Sequence, residues 1–586
     1  MLVSSPPSGT IKLADYVFAR LHQLGVRSVF GVPGDYNLKL LDFVEPSGLH
    51  WVGNCNELNA AYAADAYARL HGISALVTTF GVGELSAVNG IAGAFAEKAP
   101  IVHIVGTPSR TIQENRVFMH HAFPDADYRR FAEMHSHVTA AQTNLTDPRL
   151  APNQVDWIIE QALLHQRPVY LEIPDDMVNT LVSSSNLHDR PSLQLPDPPE
   201  IEAEASGVQC LLDRVYSAKR PLILVDGESR SLGILEEIDQ LIKATQWPTW
   251  TTVFGKGLVD EELPNVYGVD AGKFGADEAF AYHQSADLIL HLGPHLSDTN
   301  TNIFTTIPPK TIAIVLSQNT LTAGANIYRD ILPARFLQRL LKELKSDRLV
   351  KVDGPPNTIQ AQPEVVDSDP LVQKHFYSII NPILRKGDVV LAETGTASYG
   401  GRTMKLPPGS RFFTAVTWLS IGYMLPATLG AALAQRDMLK TSLEKGAQEA
   451  NQKRRAILFM GDGSLQMTAQ ELSIIIQEKL NVTIFVINNN GYTIERVIHG
   501  RKQAYNGIAK WDHAFALRLF GMDEETASKS FFRAKTWGEL KTVLASPDLK
   551  EGEGVKVVEV FMGQEDCTGP LLDLLQRQVA QEGTAS

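Results

Sequence analysis

Cysteine is nearly absent: Cys55, Cys210 and Cys567 are three thiols in 586 residues, far apart in the chain. That excludes a disulfide-stapled scaffold. No CxxC or HExxH spacing occurs, so zinc is not expected. Basic excess is also missing, with 53 Lys+Arg against 66 Asp+Glu and a formal charge of −13. Sequence-independent binding of nucleic acid needs the opposite balance. The first ten residues hold no basic residue and no apolar run, so no signal peptide is expected. The final Gly583-Thr584-Ala585-Ser586 is neither a peroxisomal nor an ER-retention address. One stretch, residues 412–435, lacks charge altogether, but it contains Gly422, Pro426, Gly430 and several hydroxyls. A buried strand, loop and helix is expected there rather than a membrane span. The expectation is a soluble, cytoplasmic protein without membrane or nucleic-acid partners.

What is present suits a packed globular protein: 44% hydrophobic and 20% charged residues. At roughly 100–200 residues per domain the length predicts about three to five domains. Short apolar runs alternate with amphipathic segments in three blocks, the pattern of α/β domains with mostly parallel sheets flanked by helices. Residues 1–9 read as a tail and 10–182 as the first block, with strands near 28–31, 75–80, 101–106 and 169–173 and helices near 57–70 and 84–97. A Pro-rich polar stretch, 183–199, reads as a linker. The second block, 200–347, carries apolar runs at 221–225, 288–292 and 311–316. A linker at 348–369 leads to the third block, 370–586, with strands near 389–392, 456–460, 482–487 and 555–561. The charged segment 436–455 reads as a solvated excursion.

The densest chemical signal lies in the third block. A buried strand runs into Gly461-Asp462-Gly463-Ser464, with a helix expected from about Thr468, and the next strand ends in Asn488-Asn489-Asn490-Gly491. In a right-handed βαβ unit both strand ends lie on one edge of the sheet, so Asp462 and Asn489 converge although far apart in sequence. A carboxylate, an amide oxygen and a backbone carbonyl are hard ligands suited to Mg²⁺, which usually takes phosphate oxygens as well. The glycines allow backbone N–H groups to approach a phosphate at a helix start. Either turn alone would be unremarkable, since Gly, Asn and Asp favour turns. In the first block, Gly81-Val82-Gly83-Glu84-Leu85-Ser86 is a near miss of the dinucleotide fingerprint. It lacks the third glycine, and the next strand ends in Thr107-Pro108 without a ribose-binding acid, so NAD is not expected.

Gly-Asp-Gly followed after some twenty residues by Asn-Asn resembles the thiamine-diphosphate signature. Gly31-Val32-Pro33-Gly34-Asp35, the run from Asn56-Glu57-Leu58-Asn59 to Asp65, and His120-His121 resemble the pyruvate decarboxylase group of that superfamily. So do Ala392-Glu393-Thr394-Gly395-Thr396, Gly491-Tyr492-Thr493-Ile494-Glu495 and Ile498-His499-Gly500. The likeness runs in order from about Ile11 to Val579. It implies pyrimidine-binding, middle and diphosphate-binding domains for the three blocks. It also implies that Asp462, Asn489 and the Gly491 carbonyl hold Mg²⁺ against the cofactor diphosphate. Gly463, Ser464, Thr396, Thr493 and Ile494 would line the diphosphate and thiazolium, and Leu419 and Ile421 the aminopyrimidine side. Glu57 would meet the pyrimidine ring, where a carboxyl of raised pKa can share a proton with the ring nitrogen. By position alone it reads as a helix-start glutamate.

With 16 histidines, about 0.4 adjacent pairs arise by chance, so His120-His121 is weak by itself. Beside Asp35 and Glu495 it completes a set of acids and bases that the implied reaction wants. Loss of CO₂ leaves a carbon to be protonated, and aldehyde release requires removal of a hydroxyl proton. Asp35 and Glu495 are the expected proton-transfer carboxyls, and the histidines stabilise and relay. Thr299, Ser398, Trp418 and Ile498 would line the substrate pocket. Two positions depart from the pattern. Leu419 stands where glycine is expected, and Thr299 where pyruvate-specialised relatives tend to carry an aromatic ring. The smaller residue predicts room for longer or aromatic 2-oxo acids.

The resulting expectation is a Mg²⁺- and thiamine-diphosphate-dependent decarboxylase of a 2-oxo acid, a dimer or tetramer with Glu57 of one protomer facing Asp462 of another. A carboligase forming acyloins is the alternative enzyme, since an acceptor aldehyde can take the place of the proton. A non-catalytic regulatory paralogue is the alternative of another class, although none of the expected ligands is degenerate. Flavin in the middle domain is not expected beside His120-His121.

Overall fold

The computed structural model describes residues 9–189, 199, 201–356, 362–444 and 454–584. The expected tail up to residue 8, most of the linker at 183–199, part of that at 348–369 and the middle of 436–455 lie outside the described residues.

Each block builds a sheet, and the fold is three-part α/β as expected. In the first block six parallel strands run in the order His50–Gly53, Ser28–Gly31, Ser74–Thr79, Ile101–Thr107, Val169–Pro174, Gln142–Asn144. The three central strands are buried along their whole length; they are mostly apolar, with His103 and Glu172 as buried polar exceptions. The third block repeats the plan: Arg411–Phe413, Val389–Ala392, Ala456–Gly461, Val482–Asn488, Val555–Phe561 and Phe531–Ala534, again all parallel. The middle sheet has seven strands, five parallel ones followed by an antiparallel pair, Thr320–Ala323 and Asn326–Arg329. That pair was not expected from the sequence.

By contacts the chain divides into two compact units, and the division does not follow the order of the blocks. One unit takes the chain up to Pro196 together with Tyr423–Arg454 and Thr468–Leu480. The other takes Asp197–Gly422, Arg455–Met467 and Asn481–Ser586. In the first unit, helix Met424–Glu444 packs along helix Glu57–His71, whose residues from Asn59 to Arg69 are all buried. Small side chains make this possible: a Cβ on Gly430 would lie 1.9 Å from the Ala63 carbonyl oxygen. The charge-free run at 412–435 is therefore a strand end, a loop and a helix buried against other helices. Among the described residues no helix is long and apolar enough to cross a membrane.

Three readings of the sequence need correction. The helix expected from Thr468 starts at Asp462, directly off its strand, and breaks at Thr468 before a second short helix, Leu472–Gln477. The segment 436–455 is not solvated throughout. Asp437 is buried and accepts from the hydroxyls of Ser28 and Tyr67, Arg436 pairs with Glu478, and buried Arg455 pairs with Asp388. The start of the first linker is structured: Leu181–Ser183 pairs antiparallel with Thr10–Lys12, and Ser185–His188 forms a 3₁₀ turn.

Candidate active site

In the second unit, the chemistry-bearing residues gather on the carboxyl edge of the third-block sheet. Asp462 follows its strand immediately and is buried. Its Oδ1 accepts from the Gly463 N–H at 2.9 Å and its Oδ2 from the Asn490 N–H at 2.8 Å. Burial pushes the carboxyl pKa up, and these N–H groups pull against that shift. The Asn489 amide oxygen lies 3.0 Å from Asp462 Oδ1 and 2.7 Å from the Gly491 carbonyl oxygen, while its nitrogen donates to Thr493 Oγ1 at 2.8 Å. Three oxygens turned on one another repel unless a cation lies among them. Without one, a rotated amide would donate to both neighbours instead. The donor set, one carboxylate, one amide oxygen and one carbonyl, therefore fits Mg²⁺.

Glycine is obligatory around this cluster. Gly491 has φ +139°, and a Cβ there would stand 2.4 Å from the Asn506 carbonyl oxygen. A Cβ on Gly463 would stand 2.6 Å from the Tyr492 ring. Both positions thus keep backbone open at the strand ends, as a close-approaching phosphate requires. Ser464 and Thr396 are largely buried on the same edge, Thr396 as the first residue of helix Thr396–Gly401. Two glutamines that the sequence did not single out brace the edge. Gln373 donates to Thr396 Oγ1 at 3.2 Å, and the Gln564 carbonyl accepts from Thr493 Oγ1 at 2.9 Å. No spacing signal connects either to its partner.

The segment after strand Arg411–Phe413 carries Trp418, Leu419 and Ile421. Leu419 adopts φ +51°, the left-handed region that favours glycine. Thr299 donates its hydroxyl to the Val416 carbonyl, as does Ser297 at 2.6 Å. Ser398 is buried and accepts from Thr414 Oγ1 at 2.8 Å. Ile494 is half-buried, whereas Trp418, Glu495 and Ile498 are exposed on this unit.

In the first unit, loops at the carboxyl edge of the first sheet bring Asp35, His120 and His121 together. His120 Nε2 lies 2.5 Å from Asp35 Oδ2, and His121 Nε2 lies 3.8 Å from Asp35 Oδ1. The two imidazoles meet edge to face at 4.7 Å. Glu57 opens its helix behind Asn56, whose side chain accepts from the Asn59 N–H at 2.8 Å. Burial raises the Glu57 pKa, and its own backbone N–H partly offsets that. Nearby asparagines have structural work: Asn54 and Asn59 both donate to buried Glu471, at 2.6 and 2.8 Å. Gly81-Val82-Gly83, the near-miss dinucleotide loop, lies between the two groups. A Cβ on Gly81 would stand 2.5 Å from the His121 carbonyl oxygen, and one on Gly83 would stand 3.1 Å from Glu57 Oε1.

Comparison with known proteins identifies the family. Three family models match in order: "Thiamine pyrophosphate enzyme, N-terminal TPP binding domain" over residues 11–130, the central domain over 208–344, and the C-terminal TPP binding domain over 393–545. The chain is 49% identical over 584 residues to a pyruvate decarboxylase of Aspergillus parasiticus, covering 98% of this chain and 99% of that one. It is 39% identical over 563 residues to a pyruvate decarboxylase of Aspergillus fumigatus, covering 96% of each chain. Against pyruvate decarboxylase isozyme 1 of Saccharomyces cerevisiae the figure is 38% over 575 residues, covering 97% of this chain and 98% of that one. With the cation-ready strand ends, the Asp35–His120–His121 cluster and this full-length likeness together, the chain belongs to the pyruvate decarboxylase family of thiamine-pyrophosphate-dependent enzymes.

Proposed function

We propose that the chain decarboxylates a 2-oxo acid without oxidation, releasing an aldehyde and CO₂, with thiamine diphosphate held through Mg²⁺. The observation that carries this reading is the convergence of the Asp462 carboxylate, the Asn489 amide and the Gly491 carbonyl at two adjacent parallel strand ends. When bound, the cofactor supplies an electron sink for the electrons that the departing CO₂ leaves behind. Asp462, the Asn489 oxygen and the Gly491 carbonyl hold the cation. Gly463, Ser464, Thr396, Thr493 and Ile494 line the diphosphate and thiazolium, while Leu419 offers its carbonyl, and Ile421 its bulk, to the aminopyrimidine.

Glu57, whose pKa burial raises, would share a proton with the pyrimidine ring nitrogen. Asp35 and His120, 2.5 Å apart, are placed to pass a proton to the carbon CO₂ would leave, and His121 to relay and stabilise. Glu495 is the second proton-transfer carboxyl. Thr299 fills its position with a small side chain pinned to the Val416 carbonyl, which supports acceptance of 2-oxo acids bulkier than pyruvate. A cytoplasmic setting is in keeping with three unpaired thiols.

The test is aldehyde release from pyruvate, a branched-chain 2-oxo acid and phenylpyruvate, with and without added thiamine diphosphate and Mg²⁺. Aldehyde that requires both additions, and falls about 10²-fold or more in Glu57→Gln, is expected. Acid consumed without free aldehyde would move the reading to carboligation. If kcat/KM for pyruvate exceeds that for both larger acids, the account of Thr299 is wrong.

A further inference from the structure

Beneath the Gly81–Gly83 turn lies a buried polar cluster to which the reaction above assigns no part. Glu84, His103, His135 and Tyr170 are each fully buried, and Glu172 is 2% exposed. Glu84 Oε1 accepts the Gly81 N–H at 2.8 Å, closing the first turn of helix Val82–Ala96 on itself. Its Oε2 accepts the Tyr170 hydroxyl at 2.7 Å and lies 3.4 Å from His135 Nε2. His135 stacks on Tyr170 and meets His103 edge to face, and His103 contacts the Thr78 hydroxyl at 3.0 Å. Glu172, beside Tyr170, is neutralised by Arg129.

We propose that Glu84 is a positioning residue: by holding the Gly81 N–H it fixes the turn against which the His121 carbonyl and the Glu57 carboxyl rest, and so sets both groups in register for proton transfer. The geometry is closed at Gly81, where a Cβ would stand 2.5 Å from the His121 carbonyl oxygen, and tight at Gly83, where it would meet Thr79 at 3.0 Å and Glu57 Oε1 at 3.1 Å. A turn that shifts by a fraction of an ångström moves both contacts together. The charge state suits the role. Burial holds the Glu84 carboxyl protonated, with a pKa of about 8, and holds His135 neutral, with a pKa of about 4. A neutral acid can accept from Gly81 and Tyr170 while offering its own proton toward His135 Nε2. The groups facing it are Tyr170 and Glu172 from one strand, His103 from the next, and His135 and Arg129 from the helix above. Ionisation of Glu84 above pH 8 therefore places a negative charge beside Glu172 and loosens the cluster.

The inference rests on the decarboxylase reading, and it is tested in the full-length holoenzyme with Glu84→Ala and Glu84→Gln. Glutamine keeps an acceptor for Gly81, so its kcat at pH 7 stays within about threefold of wild type. Alanine removes it, and kcat falls about 30-fold or more while KM for the 2-oxo acid changes little. Wild type loses activity reversibly above pH 8, and Glu84→Gln flattens that limb. In the cofactor-free chain, amide hydrogen exchange at residues 81–83 and 119–122 quickens at least tenfold in Glu84→Ala and not in Glu84→Gln. A Glu84→Ala variant with wild-type kcat per folded molecule, or with unchanged exchange at both segments, overturns this inference alone. A wild-type chain that releases no aldehyde overturns it together with the reading on which it rests.

Discussion

Leu419 shows what one residue can be asked to tolerate. Its φ of +51° costs a branched side chain roughly 1–2 kcal/mol relative to the right-handed region, a cost glycine escapes. Replacing it with glycine relieves that strain and returns about 0.5–1 kcal/mol to the unfolded chain as entropy. The expected Leu419→Gly protein therefore melts within a few degrees of wild type. If only the backbone carbonyl at 419 works, kcat stays within a few-fold as well. A tenfold change in either direction, read by steady-state kinetics, would show that the side chain takes part. At this scale legibility was uneven. Asp462 and Asn489 could be found because each ends a buried parallel strand, where sequence order alone dictates convergence. Glu84, Gln373 and Gln564 could not, because their partners arrive from distant elements and leave no spacing. A glutamate three residues into a helix that opens on glycine was the one available hint of Glu84.

Elements were legible where burial is complete. The runs at 28–31, 221–225, 288–292 and 555–561 are strands with the expected bounds, since burial on both faces keeps them mostly apolar. The hairpin Thr320–Arg329 was missed because its strands are half-exposed and polar. The helix from Asp462 opens ahead of the expected start near Thr468, and an aspartate at its first position is favoured by the dipole. Arg436 and Arg455 read as solvated because their partners Glu478 and Asp388 lie far off in sequence, and Asp437 because its hydroxyl donors Ser28 and Tyr67 do. Helix Met424–Glu444 makes the sharpest test here. The Gly430→Ala methyl would strike the Ala63 carbonyl, so the two helices must part, at about 1–3 kcal/mol. A denaturation midpoint lowered by that amount with an unchanged slope is expected, and an unchanged midpoint would contradict the close packing.

For the whole molecule, the distribution of roles suggests a cross-complementation test. Asp35, Glu57, His120 and His121 belong to one unit, and Asp462, Asn489, Gly491 and Glu495 to the other. If a working site joins Glu57 of one protomer to Asp462 of its partner, mixing inactive Glu57→Gln with inactive Asp462→Ala regenerates intact sites. After subunit exchange, random pairing into two-site dimers restores about a quarter of wild-type activity. Activity that stays at the level of the separate variants after demonstrated exchange would place both residues within one chain. The assembly of the first unit has a consequence for biosynthesis. Its alanine-rich helix Glu57–His71 is covered by Met424–Glu444, and Asn54 and Asn59 wait for Glu471. A ribosome that has passed residue 196 must therefore continue to Leu480 before this unit has all its parts. At about 5–20 residues per second the interval is roughly 15–60 s, during which a small-residue helix face stays uncovered and the N-terminal third of the chain is open to aggregation.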